Sequence, residues 1–171
     1  MSIRPIVKYG DPVLHAPASP VERVDDQIRS LFDDMVATMY AAPGIGLAAP
    51  QIGVALRLIV IDLSVGEDPS QVIRLANPEF LEREGEQKHE EGCLSVPGFV
   101  GSPARPARVT VRGLDPDGCE RVYSGTELLA RAFCHEIDHI EGLVFVDRLS
   151  PLKRDLMKRK LRKKAREGWE E

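Results

Sequence analysis

Apolar residues recur at spacings of three and four through Val24, Ile28, Leu31, Phe32, Met35, Val36 and Met39, one stripe of a helix that the pattern predicts over residues 25–41. The stripe stops before Pro43 and Gly44. GIGLAAPQIG at 44–53 holds too much glycine and proline for a regular element, and a loop of shaped backbone is expected there. The period then shortens. LRLIVIDL (56–63) is a brief β-branched run suited to a buried strand, and VIRLANPEF (72–80) is a weaker strand expected to end near Pro78. ARVTVRGLD (107–115) alternates apolar and polar residues up to the turn residues DPDG, and ERVYSG (120–125) is the second arm of a hairpin.

The helical period returns in SGTELLARAFCHEIDHIEG (124–142). Ser124 and Glu127 are spaced as a capping box, and Gly142 suits the position just past the helix end. Leu128, Ala132, His135 and His139 fall on one side, with Leu129, Phe133, Glu136 and Ile140 beside them. Both faces are otherwise apolar, so the helix is expected to be buried with two histidines and a glutamate turned inward. Ser150 and Pro151 open a final, basic helix. Helix, several strands, helix, helix is the order of an α+β fold. The expectation is a single domain over residues 1–171, with a mainly antiparallel sheet around the HEIDH helix, a helix in the N-terminal half and a basic C-terminal helix at 151–171.

Composition narrows the class. With 43% hydrophobic and 29% charged residues and no apolar run of spanning length, the chain reads as a soluble protein rather than a membrane protein. MSIRPIVKYGDP lacks the apolar run of a secretory signal, which makes a reducing, cytoplasmic setting the expectation. Three cysteines, Cys93, Cys119 and Cys134, are too few and odd in number for a disulfide framework. The net charge of −4 is uneven: residues 1–150 carry 14 basic against 23 acidic residues, and residues 151–171 carry 9 against 4. Such a tail is either an address for an anionic partner such as RNA or a solvated helix face.

The chemistry concentrates in HEIDH. Histidines four apart on a helix can hold one ion, a bound ion lowers the pKa of coordinated water towards about 7, and the adjacent Glu136 can take a proton. The nature of the third ligand separates the classes of hydrolase. Phe145 stands where the extended motif HExxHxxGxxH needs histidine, and Glu167, Glu170 and Glu171 are poor candidates for a downstream glutamate ligand. His15 and His89 sit in polar, turn-like segments. Cys93, in EEGCLSVPG, is the most economical third ligand, giving a metal-dependent amide hydrolase. A metallopeptidase of the HExxH type and a noncatalytic protein with a structural zinc site are the competing readings.

Three motifs, GIGLAAPQ (44–51), EGCLS (91–95) and HEIDH (135–139), in that order and spacing, resemble the peptide deformylase family over essentially the whole chain. The resemblance implies that Cys93, His135 and His139 ligate the ion, that Glu136 is the catalytic acid and base, and that the substrate is the N-formylmethionine of newly made polypeptides. It further implies that the Gln51 amide and the backbone N–H of Leu94 stabilise the oxyanion. Ile45, Gly46 and Gly92 then offer backbone contacts to substrate, and Leu94 an apolar wall. A thiolate with two imidazoles permits Fe(II), Zn(II), Ni(II) or Co(II), and the resemblance implies Fe(II) as the physiological ion. It also raises a ribosome contact through the basic helix, with neither membrane nor DNA as partner. Cys134 stands where many members carry glutamine. Arg131, one turn before His135, is placed at the groove mouth, where the family more often has an aliphatic side chain. No role is assigned to Cys119 or Cys134 beyond a buried structural thiol at Cys134.

Overall fold

The computed structural model describes residues 1–169 and shows an α+β fold. Helix α1 spans Asp26–Ala41; the Asp25 side chain caps it by accepting the N–H of Ile28 at 3.0 Å. Nine strands follow in two groups: β1 (Gly46–Ala48), β2 (Leu58–Ile61), β3 (Ile73–Glu84), β4 (Gln87–Lys88) and β5 (Glu91–Gly92), then β6 (Val100–Gly101), β7 (Ala104–Arg105), β8 (Arg108–Leu114) and β9 (Glu120–Thr126). Helices α2 (Glu127–Ile140) and α3 (Pro151–Glu167) complete the chain. The main sheet is antiparallel in the order β1-β2-β3-β8-β9, while β4 pairs β7 and β5 pairs β6 in two small ribbons.

The continuous apolar run of β2 has a direct cause. Leu58 and Val60 pack with Phe32, Met35 and Met39 of α1, whereas Ile59 and Ile61 pack with Phe133, Ile137 and Ile140 of α2. Both faces of β2 are buried, so the period-two alternation of a half-exposed strand is absent. A third cluster, Tyr9, Val96, Phe145, Val146, Leu149 and Leu161, holds α3 against the body.

The structure departs from the sequence reading at several places; α3, expected over 151–171, ends at Glu167, and residues 170–171 lie outside the described residues. Within the expected loop, Gly46–Ala48 pairs with Ile59–Ile61 as a sheet edge before a 3-10 turn at Ala49–Ile52. The strand expected to end near Pro78 continues to Glu84, because the register shifts between Ala76 and Glu79 and the proline, which has no N–H to give, lies inside that irregularity. The capping box of Ser124 and Glu127 does not form. Pairing of β8 with β9 persists to Arg108 and Thr126, which keeps Ser124 in the strand with its hydroxyl 3.1 Å from that of Thr110, and α2 starts only at Glu127. Gly142 follows α2 at φ 82°, and a Cβ there would lie 2.8 Å from the backbone of Ala16. No helix among the described residues is long and apolar enough to cross a membrane.

Candidate metal centre

Helix α2 brings His135 and His139 to one face, and the turn after β5 brings Cys93 over them. Nε2 of His139 lies 3.3 Å from Nε2 of His135 and 3.3 Å from Sγ of Cys93, and the three ligand atoms all lie within 4.8 Å of one another. His89 and the ring of His15 stand apart on the surface, the latter edge-on to Tyr9. Glu170 and Glu171 lie outside the described residues, and Glu167 ends α3 as an exposed side chain.

The electrostatics of this cluster suit a cation. Burial and the neighbouring His135 hold His139 well below its ordinary value. Burial also opposes charge on His135, but Glu136, Cys93 and Glu91 prevail and hold it well above. Positive charge is thus favoured at His135 and opposed at His139, and a divalent ion held between them would take both imidazoles in the neutral form. The two buried side-chain atoms without a hydrogen-bond partner among the described residues, Oε1 of Glu136 and Nδ1 of His139, both belong to this site. Burial pushes the Glu136 carboxyl up to about 7. A sulfur and two ring nitrogens converging beside an unsatisfied carboxylate fit a transition metal of borderline softness.

The surrounding residues orient these groups. Gln51 is buried; its Oε1 accepts the N–H of Ala48 at 3.0 Å, which turns Nε2 towards Oγ of Ser95 at 3.2 Å and Sγ of Cys93 at 3.7 Å. Gly46 passes so close to α2 that a Cβ there would lie 2.5 Å from Oε2 of Glu136. That approach, more than turn chemistry, is why the loop needs glycine at 46. A groove of about 490 Å³ opens beside the cluster, and Ile45, Gly46, Gln51, Gly92, Leu94 and Glu136 all line it. Every site residue expected from the sequence is thus in one place.

The sequence reading missed the support beneath the ligands. Nδ1 of His135 meets Oε1 of Glu91 at 3.0 Å, which fixes the ring with Nε2 turned to the cluster. Glu91 in turn receives two hydrogen bonds from Arg105, each 2.9 Å, and Arg105 also binds Asp138 at 2.6 Å. Asp138 is shared with Arg148 at 3.0 Å. Burial works against the Glu91 charge, yet Arg105 and His135 bring its carboxyl down to about 2. Cys134, as expected, is buried and apart from the ligand set; burial raises its thiol to about 11, which keeps it protonated and inert. Cys119 is exposed.

Comparison with known proteins was consistent across sequence and structure. Residues 3–155 match the family model described as polypeptide deformylase. A peptide deformylase of Acidobacterium capsulatum is 55% identical over 168 residues, covering 98% of this chain and 99% of that protein. The crystal structure of a peptide deformylase from Legionella pneumophila superposes with a TM-score of 0.88 at 48% identity, covering 96% of each chain. That of Ehrlichia chaffeensis in complex with actinonin gives 0.85 at 40% identity, covering 96% of this chain and 98% of that one.

Proposed function

The chain belongs to the polypeptide deformylase family, whose metal-dependent hydrolysis removes the N-formyl group from nascent polypeptides, and on that premise we propose that Cys93, His135, His139 and Glu136 carry out this reaction here. The observation that carries the assignment is the convergence of three donor atoms beside a buried carboxylate at the floor of an open groove. When bound, the ion supplies a Lewis acid that makes a water acidic enough to ionise near neutral pH. Glu136 accepts the proton of the attacking water and passes it to the departing amine nitrogen, because an amide nitrogen leaves poorly unless protonated. Nε2 of Gln51, held in orientation through Ala48 and Ser95, and the backbone N–H of Leu94 stabilise the oxygen that becomes negative. Formate and a free N-terminal amine result.

The groove accounts for the rest of the substrate. Strand β1 ends the main sheet, pairing with β2 alone, and Gly44–Gly46 line the groove. A peptide laid along Ile45 and Gly46 meets backbone donors and acceptors there, as in strand addition to a sheet edge. Gly92 offers backbone from the facing wall, and Ile45 and Leu94 offer apolar surface. We further propose Fe(II) as the resident ion, following the family resemblance and allowed by a thiolate with two imidazoles. Protein purified without air and supplied with Fe(II) is expected to release formate from formyl-Met-Ala and to lose that activity on aeration, as iron and Cys93 oxidise. Equal activity before and after aeration would rule out iron, and no formate from either sample would overturn the deformylase assignment.

The setting we propose is the cytoplasm, with residues 1–171 acting as one catalytic unit and α3 as a ribosome contact. Nine Lys and Arg residues from Lys153 to Arg166 suit salt-sensitive binding to RNA phosphates. Cosedimentation with ribosomes is expected to fall when residues 151–171 are deleted. Unchanged cosedimentation would dismiss this contact.

A further inference from the structure

An arginine stands in the groove without an ion-pair partner among the described residues. Arg131 lies on α2 one turn before His135 and lines the groove beside Leu128 and Ala132. It is half-buried, and among the described residues its one side-chain partner is Oε1 of Gln87, which accepts from Nη1 at 2.7 Å. That anchor is itself fixed. Nε2 of Gln87 donates to the carbonyl oxygens of Pro106 and Glu127, each at 3.0 Å, so both amide hydrogens are engaged and Oε1 is the atom left for Arg131. A guanidinium carries five N–H donors in a rigid planar fork, and among the described residues one of them is engaged.

The remaining groove charges do not neutralise it. Glu91 is taken by Arg105 and His135, Glu136 is buried beside Gly46, and Glu90 is exposed without an ion pair among the described residues. Helix geometry places Arg131 along the substrate. At 1.5 Å per residue its Cα lies about 6 Å along α2 from that of His135, and helical side chains lean towards the N-terminus, away from the metal centre. The guanidinium is therefore set back along the groove wall from the His135–His139–Cys93 cluster, held towards Gln87. An extended peptide advances about 3.3 Å per residue.

We infer that Arg131 is a specificity determinant, which ranks formylated polypeptides by the charge of the residues just after the formylmethionine and favours acidic side chains there by ion pairing. The inference rests on the deformylase reading. It also separates two tasks on one helix: His135 and His139 serve the reacting bond, and Arg131 one turn earlier reads the side chains downstream of it.

The test is formate release from formyl-Met tetrapeptides carrying Asp, Ala or Lys in turn at the second, third and fourth positions, with wild type, Arg131→Leu and Arg131→Glu. Metal content and melting curve are measured alongside to establish that each variant is folded. At low salt, kcat/KM for wild type is expected to favour Asp over Lys by about ten-fold at one or more positions, through KM rather than kcat, and the ratio should shrink as salt is raised. Arg131→Leu should flatten that ratio to about two-fold or less, and Arg131→Glu should invert it. A purely structural role would alter all peptides together and leave the ratio in place. The same Asp-to-Lys ratio in wild type and both variants overturns the inference while the deformylase reading stands. No hydrolysis of any formyl peptide by wild type overturns both.

Discussion

Glu136→Gln is expected to bind metal as the wild type does and to lower kcat on formyl-Met-Ala by about 10²–10⁴, the usual contribution of a positioned acid–base group. Glutamine keeps the size and the hydrogen-bonding end of the side chain, so the close packing of Gly46 against position 136 is preserved. What it removes is the ability to take a proton. The substitution leaves Cys93, His135 and His139 untouched, and metal content measured on the same sample separates loss of the ion from loss of proton transfer. Retained metal with unchanged turnover would end the assignment of Glu136. Lost metal would instead mean that the carboxylate is needed to build the centre.

Arg105→Ala is expected to be the most damaging single change outside the ligand set. Arg105 is 4% exposed and bridges Glu91 and Asp138, whose side chains are each 8% exposed. Removing the cation leaves buried Glu91 with His135 alone and Asp138 with Arg148 alone, and breaking one partner of a buried ion pair costs about 3–5 kcal/mol. For a domain whose whole stability is on the order of 5–15 kcal/mol, that corresponds to roughly 10 °C in melting temperature. A second effect should travel through Glu91: without Arg105 it holds His135 less firmly, and metal affinity is expected to fall by about 10- to 100-fold. Arg105→Lys keeps a charge but not the planar fork that meets Glu91 at two points, and should lie between. Melting within a degree or two of wild type, with unchanged metal affinity, would show that the network is dispensable.

These two predictions mark the boundary of what the sequence disclosed. The place of Glu136 beside the histidines was legible because the pattern is local: HEIDH puts two imidazoles and a carboxylate on one helical turn, and the helix has an unbroken period. Cys93 followed because the other candidates for a third ligand were poor, and Gln51 and Leu94 because their motifs match a known family. Arg105 was not legible. It acts on residues 14 and 33 positions away, and nothing in SPARPARV announces a buried cation. Asp138 had a faint signal, being an acid inside a helix expected to be buried, but its partners were unknowable from spacing. The same division holds for the fold. α1, β2 and the β8–β9 hairpin carry their own periodicity, whereas β4 to β7 are two residues each and exist only through their cross-strand partners. The capping box failed for a related reason, since pairing of β9 with β8 holds Ser124 in the strand.

The attachment of α3 has a consequence for how the molecule opens. Of its 17 residues Leu161 alone is fully buried, supported by partly buried Met157 and by Trp169, whose indole N–H donates to the carbonyl of Tyr9 at 3.0 Å. So little buried surface gives the helix a small unfolding free energy of its own, well below that of the sheet between α1 and α2. Amide protons of α3 should therefore exchange with solvent through an opening that never disturbs α2, making the C-terminal helix a separate cooperative unit.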